Sequence, residues 1–355
     1  MSASLLRAGG FADVGRRQLA IDLALESGEI VALVGPNGSG KSTTLQVLVG
    51  LHPMRSGRIT TADQMLFDAS TGLDLAPDRR GLGLVPQQAA LLWRQRVRQQ
   101  VALFARPAGA PLLANAGAGA IDDLLERLGL AELAARRPGQ LSGGQAQRVA
   151  VARALASSPV ALLDEPTSAQ DPDGARAVRR AIRDHAAAGG AALVVAHRPE
   201  DAWVMADRAI VLDDLVIAQS GSPGDLARSP STAYVAQVAG LIVLRGEVGT
   251  DHVLRTAEGD LIVGDSVPPG PSVGLVRPQA ITVHRAPPTE QSARNVLGGR
   301  VVALQATPLG MRVAVDCRPP VHASITAEAA AALELQIGTV VWATCKANDV
   351  DVRAL

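Results

Sequence analysis

Short apolar runs punctuate the first two-thirds of the chain, and each leads through a glycine or an acid into a stretch of helical periodicity. Residues 29–34 form one such run, followed by a glycine-rich turn and a helical pattern over 42–51. A second run at 160–163 ends in two acids, and a third at 191–196 ends at His197, with a helical segment at 173–188 between them. Strands alternating with helices predict a mostly parallel sheet covered on both faces, an α/β fold. Between 86 and 139 the pattern changes to Ala/Leu-rich helices interrupted by Gly, Ala and Pro at 107–119, which predicts an inserted helical subdomain with one surface loop. Beyond residue 238, short alternating stretches such as 248–255 and 299–304, separated by Pro/Gly clusters like 268–271, predict a small all-β domain.

A chain of 355 residues is longer than one typical domain, in keeping with this two-part pattern. Lys+Arg and Asp+Glu balance at 34 each, so no cationic excess points to nucleic acid or an anionic membrane surface. Aromatics are only 2%, which leaves few platforms for stacking bases. Hydrophobic residues make up 47%, yet no apolar run approaches the roughly 18 residues of a membrane span, so any membrane role needs partner subunits. The first fifteen residues lack a basic, then apolar, leader pattern, and a cytosolic chain is expected. Cys317 and Cys345 have no metal-ligand spacing and read as two buried thiols.

The chemistry begins at Gly35, Pro36, Asn37, Gly38, Ser39, Gly40, Lys41, Ser42 and Thr43, which fit the phosphate-loop pattern G-x-x-x-x-G-K-[ST] between a strand and a helix. Its glycines let backbone N–H groups curl around phosphate oxygens, Lys41 reaches the outer phosphates, and Ser42 can ligate Mg²⁺. The run at 160–163 delivers Asp164 and Glu165 to the carboxyl end of a strand, where open α/β sheets bind ligands. Two acids there are, taken alone, a solvated strand end. Beside a phosphate loop, Asp164 becomes the Mg²⁺-shell acid and Glu165 the general base that orients the attacking water. Further on, Ser142, Gly143, Gly144 and Gln145 open a helix over 145–156 and create a second anion-binding helix start. One nucleotide does not need two.

Phosphate loop, Leu-Ser-Gly-Gly-Gln at 141–145, Ala-Leu-Leu-Asp-Glu-Pro at 161–166 and a lone histidine after the next strand resemble, in this order, the ATP-binding cassette (ABC) family. The resemblance covers about residues 1–235. It implies a RecA-like P-loop NTPase fold over 1–237, with a helical subdomain at 87–140. It further implies that two copies pair head to tail, each ATP lying between the phosphate loop of one chain and Ser142–Gln145 of the other. By the same resemblance Gln87 touches Mg²⁺ and water, His197 contacts the γ-phosphate, and Asp171 lies in the loop that crosses the dimer interface. The chain departs from the family in three places. No aromatic residue occurs in 19–33 to stack on adenine, leaving Phe11 as the nearby candidate; Arg198 follows His197; and Asp213-Asp214-Leu215 replaces a glycine turn. The last two are expected to lie away from the hydrolytic chemistry.

The remainder, read as a linker and first β part at 238–290 and a β-domain at 291–355, carries Ser-Ala-Arg-Asn at 292–295, Gly-Arg-Val at 299–301, Ala-Ser-Ile-Thr at 323–326 and Cys-Lys-Ala-Asn at 345–348. This series resembles the OB-like TOBE/mop module of molybdate importer ATPases. A small tetrahedral dianion needs several N–H and O–H donors and a cation, and Ser292, Arg294, Asn295 and Lys346 offer these types. Residues 274–277, followed by Pro278, resemble a Val-Arg-Pro-Glu element of such importers. The resemblance implies an importer motor at the cytoplasmic face of the inner membrane, using ATP and Mg²⁺. Its partners would be two transmembrane permease subunits, each placing a short helix against the helical subdomain at Leu91, Leu92 and Trp93, and indirectly a substrate-binding protein. Molybdate is the first cargo reading; sulfate, a sugar, a polyamine or iron is the second. A soluble ABC ATPase acting on ribosomes or DNA is the third, disfavoured by a single signature and no heptads.

Overall fold

The computed structural model describes residues 4–105, 119–168, 170–196, 205–264, 266–289, 291–307 and 310–354. The chain divides into two compact units, Met1–Arg228 and Ser229–Leu355.

In the first unit, β3 (Ile30–Val34), β8 (Val160–Asp164) and β9 (Ala191–Val195) are five-residue strands buried along their whole length, as continuous apolar runs in a parallel sheet should be. With β7 (Gly83–Val85), β10 (Arg208–Asp213) and β11 (Val216–Gly221) they form a sheet in the order β11-β10-β3-β9-β8-β7, parallel except for the β10–β11 hairpin. The two-residue period of the strands divides their side chains between two cores. Ala161, Leu163, Ala192 and Val194 pack with Val149 and Ala152 of α4 (Gly143–Ser157) and with Val178 and Ile182 of α5 (Pro172–Ala187). Val160, Leu162, Leu193 and Val195 pack with Leu45 and Leu48 of α1 (Lys41–Val49).

A second sheet, unforeseen in the sequence reading, is antiparallel: β2 (Arg17–Glu26), β1 (Ser4–Val14), β4 (Ser56–Thr61), β5 (Met65–Asp68) and β6 (Leu73–Asp74). Its apolar face joins the α1 core. The expected helical subdomain contains α2 (Val97–Phe104) and α3 (Ala120–Arg127), both packed against α4 through the shared core. The loop expected at 107–119 falls, except for Gly119, outside the described residues. A last helix, α6 (Pro223–Arg228), ends this unit.

The helix after the phosphate loop is anchored at its far end. Gly50, left-handed at φ 83°, ends α1, and the buried Arg80 guanidinium donates to the Val47 and Leu48 carbonyls at 2.8 Å while pairing with Asp74. A cation there also complements the helix dipole, whose positive end faces the phosphate loop.

The second unit is all-β apart from α7 (Ala233–Val238) and α8 (Ala327–Ala332). One sheet runs β14 (Gly259–Ile262), β13 (Val253–Thr256), β12 (Ile242–Val248), β15 (Gly270–Val276), β21 (Val350–Ala354). The other runs β16 (Thr282–His284), β20 (Val340–Cys345), β17 (Asn295–Thr307), β18 (Gly310–Asp316), β19 (Val321–Ile325). The strand expected at 248–255 is instead the tip of the β12–β13 hairpin, because residues 249–252 turn, with His252 left-handed at φ 56°. Cys317 and Cys345 are free and buried in this core, and burial lifts both thiols to about 11.

Candidate functional site

The carboxyl ends of β3, β8 and β9 converge on one edge of the parallel sheet, and the phosphate loop leaves from the first of them. Gly35 must be glycine: its φ of 159° is one that other residues rarely adopt, and a Cβ would stand 2.1 Å from the Leu212 carbonyl oxygen. Gly40 is left-handed at φ 100°, and a Cβ there would lie 2.8 Å from Leu19 Cδ1 and 3.1 Å from Leu215 Cδ2. The floor of the loop is therefore Leu19, the end of β10 and the turn after it. This corrects the expectation that residues 213–215 lie apart from the chemistry. Asp214 and Leu215 adopt φ 50° and 70° without being glycine, Arg17 pairs with Asp214, and Leu215 is buried beneath the loop.

Lys41 Nζ donates to the Gly35 and Pro36 carbonyls at 2.9 Å each, which folds the ammonium back over the loop. Burial lowers its pKa, against the pull of Glu165 and Asp164. Ser39 is buried, and its hydroxyl has no hydrogen-bond partner among the described residues. An orphan donor inside a loop of backbone N–H groups suits phosphate oxygens.

Asp164 closes β8 and is buried; burial raises its pKa, the Ser42 hydrogen bond opposes this, and neighbouring Glu165 adds to it. A hydroxyl and a carboxylate bonded to each other form a hard-oxygen pair of the kind that holds Mg²⁺ with substrate phosphates and water. Glu165 turns the chain with a left-handed φ of 50°, an uncommon conformation for a side chain of this size. Three bonds hold it there: its N–H donates to the Val195 carbonyl at 2.9 Å, and its carbonyl accepts from the Ser168 N–H and Oγ at 3.2 and 3.0 Å. The next strand thus fixes the acid that follows β8. His197 lies outside the described residues, though β9 and Ala196 lead to this same edge.

Gln87 is exposed just beyond β7. The segment around it hangs on α4: Gln147 Nε2 donates to the Pro86 carbonyl at 3.3 Å and Arg153 Nη1 to the Ala90 carbonyl at 2.7 Å. Ser142 N-caps α4 in a reciprocal box, its Oγ accepting from the Gln145 N–H at 3.2 Å and Gln145 Oε1 from the Ser142 N–H at 2.9 Å. Ser142 and Gly143 are exposed, and a Cβ on Gly143 would meet nothing within 4 Å. Asp171 caps α5 by accepting from the Gly174 N–H at 2.6 Å, and Gln170 beside it donates to the Gly144 carbonyl at 2.9 Å. Sequence reasoning missed Gln147, Arg153 and Gln170, because a side chain bonded to a distant carbonyl leaves no local pattern.

In the second unit the Asn295–Cys345 register sets Arg294 and Lys346 side by side at one end of the β17–β20 pair, both exposed, with Ser292 exposed two residues upstream. Asn295 points the other way. It is buried, accepting from the Ile262 N–H at 2.7 Å and donating to the Ile262 carbonyl at 2.9 Å, so its amide joins the two sheets. Among the described residues no group of three His, Cys, Asp or Glu could hold a metal alone.

A family model described as ABC transporter matches residues 19–168, and one described as TOBE domain matches residues 291–352. The molybdenum import ATP-binding protein ModC of Mycobacterium tuberculosis is 35% identical over 352 residues, covering 95% of this chain and 94% of that protein. The sulfate/thiosulfate import ATP-binding protein CysA of Rhodopseudomonas palustris is 37% identical over 292 residues, covering 81% and 80%. Among solved structures, the ATP-binding subunit of an ABC transporter superposes with a TM-score of 0.52 at 24% identity, over 63% of this chain and 92% of that one.

Proposed function

The chain belongs to the ABC transporter family as an importer ATP-binding protein, and from that premise we propose that it powers uptake of molybdate, with tungstate as a close analogue. The observation that carries the cargo is the relative of matching length: ModC aligns through the TOBE region, at 95% of the chain. The CysA match, of similar identity over a shorter span, supports sulfate as the second reading.

In the proposed mechanism Lys41, Ser39 and the loop N–H groups would hold the ATP phosphates, and Ser42, Asp164 and Gln87 would hold Mg²⁺. The ion, when bound, neutralises charge developing on the phosphates. Glu165 takes the proton of the attacking water, and His197 contacts the γ-phosphate. Ser142, Gly143, Gly144 and Gln145 serve the nucleotide of a second copy, with Asp171 near the shared interface. The exposed state of Ser142 and Gly143, with room around them, supports that composite site. Docking of two permease subunits is supported by an apolar surface at Leu92, Trp93, Leu103 and Phe104, with Trp93 72% exposed. Among the described residues no helix is long and apolar enough to cross a membrane. In the proposed assembly the two permease subunits supply the pathway and this chain lies beneath them at the cytoplasmic face.

Ser292, Arg294 and Lys346 form the proposed oxyanion site in the second unit, with Asn295 bracing it from inside. Bound cytosolic molybdate would restrain the motor. Calorimetry of the full chain with molybdate, tungstate and sulfate tests this. Saturable molybdate binding, lost in Arg294→Ala, and uptake of molybdate in preference to sulfate by the reconstituted transporter are expected. Preference for sulfate in both assays would transfer the assignment to the second reading.

A further inference from the structure

Away from the nucleotide and proposed oxyanion residues, the second unit holds a cavity of about 170 Å³ between the segment 230–233 and one face of the β12-β15-β21 sheet. The strand register explains what lines it. Arg245 pairs with Val273, and Val273 with Arg353, so two arginines on the strands either side of β15 flank one valine on the same face. Leu275, two residues along from Val273, extends the apolar floor, and Thr232 stands opposite. Among the described residues no Asp or Glu lines the cavity.

The two guanidinium groups differ in their attachments. Arg353 is fixed, donating to the Pro230 carbonyl and, through Nε and Nη2, to Asp351 Oδ2 at 3.3 and 2.9 Å. Arg245 has no hydrogen bond or ion pair among the described residues. Thr232 Oγ1 accepts from the Val235 N–H at 3.2 Å, which leaves its own O–H to donate. Two cations in one concavity, one of them unpaired, attract an anion.

We propose that this cavity binds a small organic carboxylate. Its shape decides the class. A tetrahedral oxyanion needs donors on all sides, and burying its oxygens against Val273 and Leu275 would leave them unsatisfied. A carboxylate presents its charge at one end only, matches the planar fork of Arg245 with two parallel bonds, and lays a short aliphatic tail on the apolar floor. The volume lies below the roughly 300 Å³ at which drug-sized ligand sites begin, so only a few carbon atoms fit.

Ligand-observed NMR and calorimetry on the full chain test this, with butyrate as the probe and inorganic phosphate and molybdate as comparisons. Saturable butyrate binding, weaker phosphate binding, and at least about tenfold weaker butyrate binding in Arg245→Gln are expected, with ATP turnover unchanged. Because Arg245 is exposed, that variant keeps the fold, and a second variant, Val273→Phe, fills the cavity and should abolish butyrate binding while leaving both arginines. The proposal is overturned by the absence of saturable butyrate binding, by butyrate binding indifferent to both substitutions, or by phosphate binding tighter than butyrate.

Discussion

Gln147 Nε2 sits 3.3 Å from the carbonyl oxygen of Pro86, joining the helix that starts at Ser142 to the residue before Gln87. The donor is buried and the acceptor half-buried, so removing the donor leaves the Pro86 carbonyl without this bond as well as releasing the segment. Gln147→Leu should leave ATP affinity unchanged and lower turnover by roughly fivefold, the equivalent of a net hydrogen bond of about 1 kcal/mol. Steady-state ATPase kinetics check it: KM should hold while kcat falls.

Leu215 underlies Gly40, and Leu215→Ala opens a hollow beneath the phosphate loop. A loss of about 2–5 kcal/mol in cassette stability is expected, with weakened nucleotide binding. Asp214→Gly, one residue earlier, relieves a left-handed backbone while giving up an exposed ion pair with Arg17, and should change stability by less than about 1 kcal/mol. Urea unfolding of the two variants separates these effects.

Phe11 lies on β1 opposite Ala20 and is 47% exposed, an aromatic face available to adenine on the sheet beside the loop. Stacking of a base on an aromatic side chain contributes about 1–3 kcal/mol. Phe11→Ala should therefore raise the Kd for ATP by about tenfold and Phe11→Trp should preserve it. A nucleotide titration followed by fluorescence measures both.

His185 is buried on α5 with Nε2 3.2 Å from the Pro159 carbonyl, and burial pushes its pKa down to about 4 from 6.5. The unfolded chain therefore binds this proton at a higher pH than the folded one. Stability from this residue is complete above about pH 6.5 and declines as pH falls toward 4, by up to about 3 kcal/mol, with no further loss below. His185→Asn should flatten that part of the pH profile in denaturant unfolding, even if its stability at pH 7 is lower.

The phosphate loop, the acids after β8 and the cap at Ser142 were legible because each is a local pattern whose chemistry depends on near neighbours in sequence. The parallel strands were legible as fully apolar runs. What escaped notice is held across long separations: Leu215 under Gly40, Arg80 on the end of α1, Gln147 against Pro86. Asn295 shows the same limit from the other side. Its residue type suits an anion site, yet only the fold shows its amide bonded to Ile262. The antiparallel sheet passed unread because in β1 glycine and alanine interrupt the alternation that marks a strand, and partners such as β4 set its register.

The central claim is that this chain is an ATP motor whose water is activated by Glu165, the residue held in a left-handed turn by Val195 and Ser168. ATP turnover of the Glu165→Gln variant, measured beside its ATP binding and ATP-driven dimerisation, tests it most directly. The account predicts turnover reduced by at least about 10²-fold with binding and dimerisation retained. Hydrolysis at the normal rate by Glu165→Gln would contradict it.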